Sequence, residues 1–214
     1  MADEFRLKLY WKARSENLSN SAEKISFFLN EIGKIIPGNW GQKGVSRAEA
    51  LKRKIDASKP GLEKLLEENT KKDHLVNGFS DIGFSIGLYM EDESEKAYAL
   101  NICIGATSQY FPNVCILNIE NAVGFGKRGF LDLFRVAIRI FNPDWGSIDS
   151  DQFRSELDLR KNTFGWVTYL KKPANREAAY PEIQFDKIES GGQILYLKNS
   201  NQVSDFKSID IFKV

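Results

Sequence analysis

Histidine and cysteine are scarce in this chain, whose 214 residues include one histidine and two cysteines. A structural zinc site usually takes four ligands rich in these residues, and a serine or cysteine nucleophile usually needs a histidine base beside it. His74 lies in the polar run NTKKDHLVNG, which predicts a surface position. The sequence therefore predicts no metal centre, no cofactor and no catalytic residues, so the protein is not expected to be an enzyme.

The two cysteines, Cys103 and Cys115, both lie in apolar, strand-like segments. A free cysteine in such surroundings behaves as a small hydrophobic side chain. Two reduced thiols in a cytosolic protein are therefore the first interpretation. A disulfide between them, which needs an oxidising compartment, is the second.

Neither sign of charge predominates, and no long apolar run is present. Thirty basic residues stand against 29 acidic ones, for a net charge of +1, so no global positive field favours direct nucleic-acid binding. No window approaches the roughly 20 apolar residues that span a bilayer. The start, MADEFRLKLYW, lacks the pattern of a secretion signal. We expect a cytoplasmic protein with no membrane partner; a monomer and a homodimer are both compatible with the sequence.

Apolar periodicity predicts the fold class. Period-two alternation indicates a strand at 5–11, a hairpin formed by 84–90 and 98–104, and a second hairpin near the C-terminus. Helical spacing indicates a helix from residue 18 to Pro37–Gly38, with a capping box at Asn20 and Glu23, a short helix capped by Ser46, and a largely apolar helix before Asn142. We expect one domain over 1–214, an α+β fold with a mainly antiparallel sheet packed against two or three helices.

A glycine-rich loop, GFGKRG, suggests one alternative function. Gly124, Gly126 and Gly129 match G-x-G-x-x-G between a strand and a helix, and Asp149 follows about 20 residues later, where a dinucleotide fold keeps its ribose-binding acid. No further helical pattern follows residue 150, however, so the two halves of such a fold cannot be built. A small-ligand or nucleotide-binding domain stays open as the second hypothesis; a flexible connecting loop is the simpler interpretation.

The dipeptide Pro143–Asp144 is similar to the opening of a restriction-type nuclease motif. Such a motif continues with a second carboxylate and a lysine, and no Asp/Glu-x-Lys occurs between residues 145 and 172. Without those groups, metal-assisted hydrolysis has no assembled site. We expect no nuclease activity from this chain.

Two acidic patches are candidates for contact with a basic protein partner, because concentrated exposed charge steers association. The first is the predicted tip of the central hairpin, which carries Glu91, Asp92, Glu93 and Glu95 and has no evident role in the core. The second is a predicted turn beyond the strand at 145–148, which carries Asp149 and Asp151. Trp40, in a glycine-rich loop, is a candidate aromatic anchor for the same partner, although packing over a helix end also explains it.

Six segments, taken in order, carry a resemblance to a known family. They are LKLYW (7–11), NWGQKGVSRAEAL (39–51), GFSIGLY (83–89), FPNVCILNI (111–119), NPDWGSI (142–148) and GWVTYL (165–170). Their order resembles the immunity protein 52 family of bacterial polymorphic toxin systems, over roughly residues 5–172. We interpret Trp11, Trp145 and Trp166 as structural family positions that hold neighbouring strands together, with adjacent glycines allowing close approach to an indole.

The resemblance implies a function that the residues alone do not. It implies an α+β cytosolic protein that binds and neutralises a cognate toxin by forming a stoichiometric complex. The toxins of this family typically carry a restriction-endonuclease-like nuclease domain and are often delivered by type VI secretion. The family has no catalytic residues to carry over to this chain, which agrees with the scarcity of histidine and cysteine.

Overall fold

The computed structural model describes residues 4–120, 125–150, 166–172, 183–189 and 191–197. The helices are α1 (Leu18–Gly33), α2 (Arg47–Lys52), α3 (Lys59–Asn69) and α4 (Gly126–Phe141), with a 3-10 turn at Lys72–His74. The strands are β1 (Phe5–Trp11), β2 (Gly41–Gln42), β3 (Leu75–Val76), β4 (Phe79–Ser80), β5 (Phe84–Glu91), β6 (Ala97–Ile104), β7 (Asn113–Ile119), β8 (Trp145–Ser150), β9 (Val167–Leu170), β10 (Ile183–Lys187) and β11 (Gln193–Leu197).

Nine of the described strands form one sheet in the order β10-β11-β9-β8-β1-β7-β6-β5-β2, and each neighbouring pair is antiparallel. The first strand of the chain lies at the centre, between β7 and β8. Because both flanking strands run antiparallel to β1, they are parallel to each other, and α4 connects them across it. The predicted α+β class, with a mainly antiparallel sheet, is confirmed.

One face of the sheet is buried under the helices. Along β1, Leu7, Leu9 and Trp11 are buried in this core, whereas the residues between them are partly exposed on the other face. The predicted alternation in β5 and β6 is also confirmed, with Phe84 to Met90 and Tyr98 to Ile104 buried at every second position. Each fully buried large apolar side chain stabilises the fold by about 1.5–3 kcal/mol.

Helix α2 packs on the opposite face of the sheet. Its Ala50 joins Tyr89 and Ala97 in a small separate cluster. The predicted cap is confirmed, because the Ser46 hydroxyl accepts a hydrogen bond from the Glu49 amide. This short helix therefore covers the outer end of the second sheet face, next to the turn between β5 and β6.

The predicted capping box of α1 is wrong. The N-cap is Asn17, whose side chain accepts a hydrogen bond of 2.8 Å from the Asn20 amide. Asn20 therefore lies inside the first turn and Glu23 in the second. The helix ends at Gly33, four residues before the predicted stop at Pro37. The helix itself could be predicted from its apolar spacing, whereas its ends depend on which polar side chain reaches the free amides first.

Three other local predictions agree with the structure. Cys103 and Cys115 are both free thiols, in β6 and β7 respectively. Helix α4 ends before Asn142, which adopts the left-handed conformation at φ 45°. Strands β10 and β11 form the predicted C-terminal hairpin.

Candidate functional site

The turn between β5 and β6 is organised by Asp92. Its carboxylate accepts hydrogen bonds from the amides of Ser94 (2.8 Å) and Lys96 (3.0 Å) and from the Tyr98 hydroxyl (3.1 Å). The Tyr98 ring is buried, and burial followed by the nearby Asp92 charge raises the pKa of its hydroxyl. The prediction that the tip has no role in the fold is therefore wrong for Asp92, which joins the turn to the core.

Glu91 is also held by its own strand. Its carboxylate accepts a hydrogen bond of 2.5 Å from the Tyr89 hydroxyl, which lies two residues earlier on the same sheet face. The Arg47 guanidinium lies over the Tyr89 ring at 5.6 Å from its centroid, and donates to Glu120 at 2.5 Å. Glu91 thus belongs to a polar network on α2, β5 and the end of β7, and it is exposed at the turn, as are Glu93 and Glu95.

The predicted acidic turn at Asp149 is wrong. Asp149 lies within β8, is 6% exposed, and pairs with Lys8 of β1 at 2.8 Å. The burial excludes Asp149 from an exposed patch, and the neighbouring lysine offsets its charge. Asp151, the other member of the predicted patch, lies outside the described residues.

Trp40 is not available as a surface anchor in this structure. Its side chain is 5% exposed and belongs to the main core cluster. The backbone next to Trp40 packs closely against α2, because a Cβ added to the adjacent Gly41 would lie 1.8 Å from the Ala50 carbonyl oxygen. Packing in the core describes Trp40 better than an interface role.

The other three tryptophans lie where strands meet helix α4 or each other. Trp11 is buried and stacks on Phe141 of α4, with ring centroids 5.5 Å apart. Trp166 is buried against Phe5 and Phe130, at 5.9 and 5.8 Å. Trp145 is half-buried and lies on the second sheet face, 5.4 Å from the Tyr10 ring.

The glycine next to Trp145 is needed for a reason other than the predicted close approach to an indole. A Cβ on Gly146 would lie 2.5 Å from Leu9 Cδ2 and 3.1 Å from Phe134 Cε2. Gly146 therefore allows β8 and β1 to approach α4, and no indole is involved. The glycine next to Trp166 lies outside the described residues.

The glycine-rich loop does not build the fold that its pattern requires. Strands β7 and β8, on either side of the loop and α4, are separated by the antiparallel β1, whereas a dinucleotide fold needs parallel neighbours. Gly129 makes room for an aromatic side chain, because its Cβ would lie 3.0 Å from the Phe125 ring. Gly126 has φ +67° and starts the helix, and Gly124 lies outside the described residues.

Asp144 and His74 both serve local structure. The Asp144 carboxylate accepts a hydrogen bond of 2.9 Å from the Lys12 amide and lies 3.6 Å from the Lys171 ammonium. The carboxylate of the nuclease-like dipeptide therefore links the end of β1 to the start of β8. His74 is half-exposed and lies 2.9 Å from Asp81 on the next turn.

A groove between α1 and α4 was not predicted from the sequence. Its volume is about 740 Å³. Glu16, Glu23, Lys24, Phe27, Arg139 and Ile140 line it. Phe27 gave a sequence signal, because it is an aromatic residue outside the apolar stripe that buries α1. Arg139 is a charged residue within the largely apolar sequence of α4, but that sequence does not show which helix lies beside it.

A second groove lies on the other side of α4. It has a volume of about 860 Å³ and is lined by α4 and β10. Arg135 crosses it to Asp186 at 2.7 Å, and the Tyr196 hydroxyl donates to the same carboxylate at 2.7 Å. Arg139 borders both grooves, so the outer side of α4 lies between two concave surfaces.

Two further observations concern the described residues alone. No group of three histidine, cysteine, aspartate or glutamate side chains is placed so that it could hold a metal ion. No described helix combines the length and the apolar character that a membrane crossing requires.

Comparison with protein families matches residues 4–205 to the family described as immunity protein 52. The match includes nearly the whole chain and extends past residue 172, where the sequence resemblance stopped. The chain belongs to the immunity protein 52 family. The proteins of this family are described as immunity proteins. No curated protein matches the sequence.

Among solved structures, this immunity protein 52 member is similar to a chain described as the Pseudomonas aeruginosa T6SS protein PA0821. The two share 12% sequence identity with a TM-score of 0.52. The similarity covers 90% of this chain and 64% of the other, so this chain spans a little under two thirds of that protein. At this identity, the similarity shows a shared fold.

Proposed function

We propose that this protein protects its cell by binding a cognate toxin and neutralising it through a stoichiometric complex, without catalysis of its own. The observation that carries the proposal is the match of residues 4–205 to the immunity protein 52 family. The protein would act in the cytoplasm, as a single domain, with a protein and not a nucleic acid as its direct partner.

The toxin of this proposal is a nuclease with a restriction-endonuclease-like domain. A nuclease presents positive charge to the phosphates that it cuts, so an inhibitor gains association rate by presenting negative charge to that surface. The net charge of +1 on this chain requires any such complementarity to be local. Delivery by type VI secretion is part of the proposal, since a structurally similar chain is described as a T6SS protein.

The exposed tip of the central hairpin is the first proposed contact. Asp92 is held within the turn, and Glu91, Glu93 and Glu95 are the exposed carboxylates of the tip, with Glu91 also accepting from Tyr89. They lie on a turn held rigid by Asp92, which lowers the entropy cost of presenting them. Their charge steers a basic toxin toward the protein; it does not have to supply most of the affinity.

The experiment uses the toxin domain encoded beside this gene. Purified protein is mixed with the active toxin, and cleavage of plasmid DNA is followed while calorimetry gives the binding stoichiometry. We expect cleavage to stop when the two proteins reach their binding ratio. An active toxin that neither binds the protein nor slows in its presence would contradict the proposal.

A matched experiment separates binding from catalysis. The protein alone is incubated with DNA, RNA and magnesium ions, and Asp144→Ala is treated in the same way. We expect no cleavage by either protein. Metal-dependent cleavage that Asp144→Ala abolishes would show that the chain is itself a nuclease.

A further inference from the structure

The groove between α1 and α4 contains a buried carboxylate with one unused oxygen. Glu16 is 7% exposed, and its Oε1 accepts a hydrogen bond of 2.7 Å from the Lys24 ammonium. Its Oε2 has no hydrogen-bond partner among the residues that the structure describes. Burying a carboxylate oxygen without a hydrogen-bond donor costs free energy. Oε2 of Glu16 is such an oxygen, and it can accept a hydrogen bond from a second cation.

The cations of the groove are already paired. Lys24 is held by Glu16, and Arg139 donates to Glu31 at 2.9 Å. The neighbouring Glu23 is 66% exposed and has its closest ion-pair partner in Lys59, at 3.6 Å. Such an exposed pair contributes little. The buried acceptor of the groove that has no donor among the described residues is therefore Glu16 Oε2.

An aromatic surface lies beside this negative charge. Phe27 is 50% exposed, although the neighbouring Phe28 and Ile25 of the same helix are buried. Ile140 of α4 is partly buried and lines the same groove. A ring next to a carboxylate suits a side chain that has an aliphatic stem and a cationic end. The stem packs on the ring, and the cation interacts with the ring face and the carboxylate.

Access to Glu16 is controlled by a flexible side chain. The Lys24 ammonium lies 2.7 Å from the carboxylate, and its side chain is 35% exposed. A rotamer change of Lys24 therefore opens Glu16 to an incoming donor without any movement of the backbone. Lysine side chains have the rotamer freedom for such a change.

We infer that this groove receives an arginine or lysine side chain of the toxin, held by Glu16 and Glu23 and stacked on Phe27. The inference rests on the proposed function, because it takes the toxin as the partner, and adds a second contact remote in sequence from the hairpin tip. The tip steers a basic toxin, whereas the groove buries one of its cations. Buried charge and aromatic packing are the features of residues that dominate binding energy at interfaces.

The test measures calorimetric binding of an inactive variant of the adjacent toxin. Glu16→Gln keeps the size of the side chain and removes its charge; Phe27→Ala removes the ring. The matched controls are Glu68→Gln, a carboxylate that pairs with Lys64, and Phe111→Ala, a ring that is 47% exposed. We expect each groove variant to weaken binding by roughly tenfold or more, and each control by less than about twofold.

An introduced positive charge keeps the test decisive if Phe27→Ala folds poorly. Phe27→Lys places a cation in the groove at an exposed position, and we expect it to weaken binding further while the melting temperature stays near wild type. If the groove variants fold and bind the toxin as tightly as wild type, the groove does not receive a toxin side chain, and the proposed immunity role is unaffected. A wild-type protein that does not bind the toxin would overturn both.

Discussion

The Nζ atom of Lys8 lies 2.8 Å from Oδ2 of Asp149, across the boundary between β1 and β8. The two residues are 141 positions apart in the chain, and their side chains are 14% and 8% exposed. They form a buried ion pair on the sheet face opposite to α4. Removing one partner of such a pair leaves an uncompensated buried charge, which costs more than the pair contributes.

We therefore expect Asp149→Ala to lower the free energy of unfolding by about 3 kcal/mol or more. The double variant Lys8→Met with Asp149→Leu should recover much of that loss, because it removes both charges and keeps the volume. Urea denaturation of the two variants and the wild type measures the difference. A single variant within about 0.5 kcal/mol of wild type would show that solvent reaches the pair.

The tryptophans should act through stability, to an extent set by their burial. Trp166→Ala removes a ring that is buried against Phe5 and Phe130, so we expect a loss of about 3–5 kcal/mol. Trp145→Ala removes a half-buried ring and should cost clearly less. Urea denaturation gives both values. Loss of toxin binding by Trp145→Ala at an unchanged melting temperature would instead assign that ring to the interface.

Variants of the hairpin tip should separate effects on toxin association from effects on folding. Replacing Glu93 and Glu95 by serine should slow toxin association and weaken its dependence on salt, while the melting temperature stays nearly constant. Asp92→Ser should lower the melting temperature, because three hydrogen bonds of the turn are lost. Stopped-flow association at low and high salt provides the first measurement, and thermal unfolding the second. Association rates equal to wild type at both salt concentrations would show that the tip does not steer the toxin and is only a solvated turn.

Tyr89 should make stability fall at high pH. Burial and the hydrogen bond to Glu91 raise the pKa of Tyr89 to about 12, whereas the pKa of a tyrosine in an unfolded chain is about 10. The folded state thus holds the proton more tightly. The corresponding stabilisation is present below about pH 10 and is lost as the pH rises toward the folded pKa.

Tyr89→Phe should therefore lose less stability than wild type between about pH 10 and pH 12. Urea unfolding across this range measures the slope. Tyr110→Phe is the matched control, since that ring is 81% exposed, and it should keep the wild-type slope. Equal slopes for Tyr89→Phe and wild type would show that burial does not raise the pKa of the Tyr89 hydroxyl.

The sequence by itself determined the features that depend on neighbouring residues. The alternation of Phe84, Ile86 and Leu88 requires a strand with one buried face, because successive side chains of a strand point to opposite faces. The Ser46 cap of α2 follows from a hydroxyl placed three residues before a free amide. The α+β class and the family resemblance rest on such local patterns and their order.

The tertiary structure decided which polar and aromatic residues are exposed. Asp149 follows a short apolar strand in the sequence and suggests a turn, but β1 places Lys8 beside it and allows its burial. Trp40 lies in a glycine-rich loop and is nevertheless part of the core. Glu16 and Phe27 share a groove with Arg139, because α1 and α4 pack together from positions more than a hundred residues apart. Burial and charge pairing depend on contacts between distant segments, and no local spacing along the chain encodes those contacts.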